Sequence, residues 1–147
     1  MILPEPAHII ADLTAQSRKE ALTELSGLFH HLDQHLLIKA LLDRETLGST
    51  AIATGVALPH CKMNTIDDIL IAVGRSETGI HWAAKDGQPV RLIILMIAPL
   101  KTSSSYLKIL ANISRFLKDS SNFALLSKAK DAHDIQHILQ SARELSL

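Results

Sequence analysis

The 147-residue chain carries 15 basic and 15 acidic side chains, with 47% apolar residues and only 3% aromatic ones. It is too apolar and too evenly charged to be disordered. It has no basic excess to follow a phosphate backbone and few rings for base stacking, so nucleic acid is excluded as a partner. One domain over residues 1–147 is expected, large enough to bury roughly 70% of its unfolded surface. The longest apolar run, Leu92 to Leu100, is about half a bilayer span, which argues against membrane insertion. The opening Met1-Ile2-Leu3-Pro4-Glu5-Pro6 lacks the basic-then-apolar order of an export signal. A lone cysteine, Cys61, rules out an internal disulfide and fits a reducing compartment, so a cytoplasmic location is expected.

Along the chain, helical and extended patterns alternate. Ser17-Arg18-Lys19-Glu20 has the capping-box pattern, and Ala21, Leu22, Leu25, Leu28, Phe29 and Leu32 follow at helical spacing. Asp33 caps a second predicted helix bearing Leu36, Leu37, Ala40 and Leu41, with Gly48 as its stop. Ala51 to Leu58 is small and β-prone, interrupted by Gly55 and closed by Pro59. Ile69 to Val73 reads as a strand and Ile80 to Ala83 as another, before the Asp86-Gly87 turn. Val90 to Ala98 is apolar apart from Arg91, as in a central strand covered on both faces. Arg91 is expected at an edge or beside an acid. Trp82 is expected to pack at a strand end.

After Pro99 the helical period returns through Leu107, Leu110, Ile113 and Leu117. A short helix is predicted around Phe123 to Ser127, and a last one, capped by Asp131, carries Ile135, Ile138, Leu139 and Ala142. Helices before and after a block of strands predict an α/β fold, a three-layer sandwich whose mixed central sheet is covered by helices on both faces.

The chain has eight histidines. His31 and His35 are four apart, as are His133 and His137, but neither pair has a third ligand at matching spacing, so no metal site is expected. His60 differs in context. It ends the run Leu47-Gly48-Ser49-Thr50-Ala51-Ile52-Ala53-Thr54-Gly55-Val56-Ala57-Leu58-Pro59-His60, in which Pro59 restricts the approach and two glycines permit tight backbone geometry. Arg44-Glu45 stands at the end of the preceding helix. An imidazole near a guanidinium fork is suited to holding a phosphoryl group.

The segment Arg44 to His60, with Gly48-Ser49-Thr50-Ala51-Ile52 and Gly55-Val56-Ala57-Leu58-Pro59-His60, closely resembles a phosphorylation-site signature. The signature is that of the fructose/mannitol-type enzyme IIA domain of the phosphoenolpyruvate-dependent sugar phosphotransferase system. Asp86-Gly87-Gln88-Pro89-Val90 and the apolar strand after it resemble the same family. The resemblance covers nearly the whole chain, and Ile2-Leu3-Pro4 leading into the Ser17 helix looks most like the standalone, nitrogen-related members. It implies that His60 accepts a phosphoryl group from a small histidine-containing phosphocarrier protein, with Arg44 beside it. Ser49 and Thr50 approach the site and can donate hydrogen bonds to phosphate oxygens. The second ring nitrogen of His60 is expected on a backbone carbonyl or other polar partner that sets the tautomer.

The family places a second site histidine seven residues after the proline ending the central strand. Here that position is Tyr106, which is expected to line the site, with the Ser103-Ser104-Ser105 run beside it. A phenol donates a hydrogen bond but brings no positive charge near neutral pH. Lys62 is expected to add positive potential at the rim, and Cys61 to be a small filler. The reading needs no cofactor. It makes the chain a phosphotransferase acting through phosphohistidine and regulating partners by its phosphorylation state. The alternative is a protein-binding regulator that keeps the fold and is phosphorylated poorly or not at all.

Overall fold

A computed structural model describes residues 4–102 and 104–142. Ile2, Leu3 and Ser103, which enter the sequence reading, lie outside the described residues. A 3-10 turn, Pro6–His8, leads to β1 (Ile9–Ile10). Then come α1 (Arg18–Ser26), α2 (Gln34–Thr46), β2 (Ala51–Ala53), β3 (Val56–Ala57), β4 (His60–Met63), β5 (Leu70–Ile80) and β6 (Val90–Pro99). Three helices close the described chain: α3 (Ser105–Lys118), α4 (Ser120–Lys128) and α5 (Ala132–Ser141).

The helix starts follow the predicted caps. Ser17 Oγ accepts from the Glu20 N–H at 3.2 Å, Asp33 accepts from Leu36 N–H at 3.1 Å, and Asp131 accepts from Asp134 N–H at 2.9 Å. Each bond occupies a backbone donor that has no partner inside its helix. The first helix is shorter than its apolar spacing suggests. It stops at Ser26, and Phe29 and Leu32 sit in turns held by Phe29 N–H to Ser26 O and Leu32 N–H to Phe29 O. Both side chains still enter the core formed by α1, so burial prolonged the helical pattern past the helix.

The sheet is mixed, in the order β1-β5-β6-β3-β2, with β4 also paired to β6. β6 is antiparallel to β5 and parallel to β3 and β4. Its side chains divide between two cores. Leu92, Ile94 and Met96 pack with Ile109, Ile113, Phe116, Leu126 and Ile135 of α3, α4 and α5. Ile93, Leu95 and Ile97 pack with Leu22, Leu25, Leu37 and Leu41 of α1 and α2. This is the predicted three-layer α/β sandwich, and it explains why the strand reads as an unbroken apolar run. Each such Leu or Ile buried contributes about 1.5–3 kcal/mol.

Two strand expectations change. The segments 69–73 and 80–83 do not make two strands: one strand, β5, runs from Leu70 to Ile80, and beyond it His81 makes only an isolated bridge to Ser17. The polar middle of β5, Arg75 to Gly79, lies where the pairing with β6 shifts register between Arg75 and Ile80. Trp82 follows that strand's end and is buried, as expected. Arg91 sits where the ladder is irregular: its N–H and that of Leu92 both donate to Gly55 O, at 2.7 and 3.0 Å. The extra residue turns Arg91 out of both cores, and its guanidinium donates to the Glu77 carbonyl rather than to an acid.

The β-prone stretch 51–58 is a hairpin followed by a break. Gly55, at φ +79°, closes the turn, and a side chain there would meet the Phe123 ring at 3.2 Å. β3 runs beside residues 92 and 93 of β6 and β4 beside residues 96–99, on the same edge. Leu58 and Pro59 bridge the two. Pro59 has no N–H to give the ladder, but its carbonyl accepts from Met96 N–H at 2.9 Å. His60 is therefore the first residue after a kink, held on the edge of the best-buried strand.

Candidate functional site

His60 is half-buried, and its Nδ1 lies 2.8 Å from the Leu58 carbonyl oxygen. A carbonyl only accepts, so Nδ1 carries the proton and the Nε2 lone pair is left for chemistry. This is the kind of backbone partner the sequence reading asked for. Burial lowers the imidazole pKa most. The Leu58 carbonyl opposes that shift, the Arg44 guanidinium adds to it, and Glu45 opposes it. The net direction is down, so more of the ring is neutral and nucleophilic than in a free histidine, which is half protonated at about pH 6.5.

The imidazole borders a cavity of about 320 Å³, walled by Arg44, Ser49, Thr50, Ile52 and Leu58 on one side and by Leu107, Leu110, Ala111 and Ser114 of α3 on the other. Arg44 sits in the last turn of α2, and its Nη1 donates to Gly48 O at 3.0 Å. That bond uses one of five guanidinium donors. Gly48, at φ +147°, takes a backbone conformation that disfavours any side chain, which lets the chain double back from α2 towards β2. Ser49 Oγ accepts from Ala51 N–H at 3.1 Å, so its hydroxyl proton can point to the cavity.

Thr50 is engaged differently from the expectation. Its N–H donates to Glu45 Oε2 at 3.1 Å and its hydroxyl donates to Glu45 Oε1. The Glu45 side chain is fully buried, and Arg18 Nη1 approaches it at 3.6 Å while also donating to Trp82 O at 3.3 Å. Adjacent residues thus split two tasks: Arg44 borders the cavity and Glu45 fastens its Ser49–Thr50 wall to α1 and α2.

Arg44, Ser49, Thr50 and His60 therefore meet around one cavity. Tyr106 sits next to that wall rather than in it. It is the second residue of α3, buried in the core on that side, with Lys62 Nζ 5.1 Å from its ring centroid. Burial pushes the phenol pKa up, with a further rise from Cys61 and a drop from Arg44, so the group is uncharged near neutral pH. Cys61 is buried in the opposite core, and burial pushes its thiol up to about 12. It packs as a filler and supplies no thiolate.

Nothing in the sequence assigned a role to Glu45 or Arg18, and it implied a carbonyl partner for His60 without pointing to Leu58. A buried carboxylate has no periodic signature, and a main-chain acceptor has none at all. Among the described residues no helix is long and apolar enough to cross a membrane, and no group of three His, Cys, Asp or Glu is placed to hold a metal ion.

Residues 3–142 match the family described as phosphoenolpyruvate-dependent sugar phosphotransferase system, EIIA 2. The chain belongs to that family, whose members act in phosphoryl transfer. It is 36% identical over 140 residues to a nitrogen regulatory protein of Bradyrhizobium diazoefficiens, covering 93% of this chain and 92% of that one. The crystal structure of nitrogen regulatory protein IIA-Ntr from Neisseria meningitidis superposes with a TM-score of 0.87 at 26% identity, over 92% of this chain and 95% of that one. The Escherichia coli enzyme IIA for mannitol, solved in complex with phosphorylated enzyme IIB, shares the fold: TM-score 0.75, 17% identity, 92% and 96% coverage.

Proposed function

We propose that His60 Nε2 accepts a phosphoryl group from a histidine-containing phosphocarrier protein, and that the phosphorylated and free forms act differently on partner proteins. The observation that carries this reading is the Nδ1 to Leu58 O bond at 2.8 Å, which leaves Nε2 unprotonated beside the cavity. In the transfer, the donor's P–N bond breaks as Nε2–P forms, while the Nδ1 proton stays against the Leu58 carbonyl. Catalysis of such a step is mostly positioning and charge stabilisation on the equatorial oxygens. Arg44 supplies the charge and Ser49 a hydroxyl donor. The nitrogen regulatory relatives support a regulatory role for the phosphorylation state.

A second reading, a docking regulator that is phosphorylated slowly, is favoured by Tyr106, a buried and uncharged group at the start of α3. One experiment separates the two. The chain is incubated with phosphoenolpyruvate, enzyme I and the phosphocarrier protein, and bound phosphate is followed. Rapid, acid-labile labelling of the native chain and none of His60→Ala is expected. An unlabelled native chain would exclude the phosphocarrier reading and favour the docking one; equal labelling of His60→Ala would move the acceptor elsewhere.

A further inference from the structure

Lys62 stands two residues along β4 from His60. The two-residue repeat of a strand puts both side chains on one face, about 6.8 Å apart at the backbone. Cys61 and Met63 point the other way, into the core with α1 and α2. Lys62 is exposed, and its ammonium rests over the ring of Tyr106, 5.1 Å from the centroid. Among the described residues the ion pairs are Arg18 with Glu45 and Lys39 with Asp43, so no carboxylate holds the Lys62 ammonium. The cation is parked on an uncharged surface, on a side chain two residues along β4 from the imidazole.

A phosphoryl group brings close to two negative charges. Arg44, the cation in the cavity wall, offsets one of them. An exposed cation–π contact is weaker than a charge-assisted hydrogen bond to phosphate. A flexible ammonium held only by the ring is therefore expected to leave it for a phosphate on the same face of the strand. Resting on the phosphocarrier reading of His60, we infer that Lys62 is a second cationic ligand of the phosphoryl group, approaching from β4 as Arg44 does from α2. Tyr106 is the positioning residue that holds the Lys62 ammonium near the site beforehand.

The test uses the full chain and two donors: the protein relay, and potassium phosphoramidate, a small donor that needs no docking surface. Lys62→Met is expected to slow labelling of His60 by about tenfold with both donors. It should also raise the pH at which the bound phosphoryl group loses its last proton, followed by phosphorus NMR. Lys62→Arg should restore most of the rate, and Tyr106→Leu should cost about two- to threefold. Equal rates for native and Lys62→Met with phosphoramidate, with an unchanged phosphorus titration, would overturn the assignment while leaving His60 as acceptor. A defect seen only with the protein donor would also overturn it, making Lys62 a docking residue. A native chain that neither donor labels at His60 would overturn this inference together with the reading it rests on.

Discussion

Arg44→Met is expected to take up phosphoryl groups on His60 about 10² to 10³ times more slowly than the native chain. Arg44 is the guanidinium in the cavity wall, and one of its N–H groups is already anchored on Gly48 O at 3.0 Å. The fork is thus held in place before phosphate arrives, and little reorganisation is needed during transfer. Arg44→Lys should recover part of the loss, since it restores charge without the two-point geometry. The side chain is half-buried and its carbonyl partner is exposed, so water can replace the lost bond and folding should be nearly unaffected. Rates measured by rapid-quench labelling, with stability checked by denaturant unfolding, decide the matter. A loss below about threefold would remove Arg44 from the chemistry.

The second large effect falls on stability. Glu45→Ala is expected to cost about 3 kcal/mol, because it leaves the Thr50 N–H and hydroxyl and the Arg18 guanidinium without their shared acceptor. The estimate stays at the lower end for a broken buried pair because Arg18 is about one-third exposed and can recover water. Glu45→Gln keeps the volume and one acceptor, so a smaller loss is expected. Urea unfolding should show a lower midpoint with an unchanged slope. In the folded fraction, labelling of His60 should fall as well, because the Ser49–Thr50 wall loses its tether. A change under about 1 kcal/mol would mean that the wall is held by something other than Glu45.

How much of this was legible follows from what each residue type signals. The caps Ser17, Asp33 and Asp131 were readable because a short polar side chain before an apolar period has few other uses there. The strand Val90 to Pro99 was readable because helices cover both its faces. Leu28 to Leu32 misled because turns under a core keep apolar spacing after the helix has ended. The split of β5 misled because its polar middle lies at a register shift, where Glu77 and Thr78 face solvent. At the site, Arg44 and His60 stood out because the segment that joins them resembles the family's phosphorylation-site signature; their spacing alone carries little. Tyr106 was located by counting from Pro99, but counting gives a place along the chain and not a side-chain direction. From α3 the cavity wall takes Leu107, Leu110, Ala111 and Ser114, while the Tyr106 ring lies beneath Lys62. Glu45 was invisible because nothing in a sequence distinguishes a buried, fully bonded carboxylate from a solvated one.

The central claim is that a neutral His60, protonated at Nδ1, takes the phosphoryl group on Nε2. Nitrogen NMR of the chain with labelled histidine, recorded across pH and again after treatment with the donor relay, tests it at the atom concerned. The account predicts a His60 Nδ1–H, a bare Nε2 that takes up its proton at a lower pH than a free histidine, whose midpoint is about 6.5, and phosphorus coupling at Nε2 after treatment. Phosphorus on Nδ1, a proton on Nε2 of the neutral ring in the free chain, or a phosphorylated residue other than His60 would contradict it.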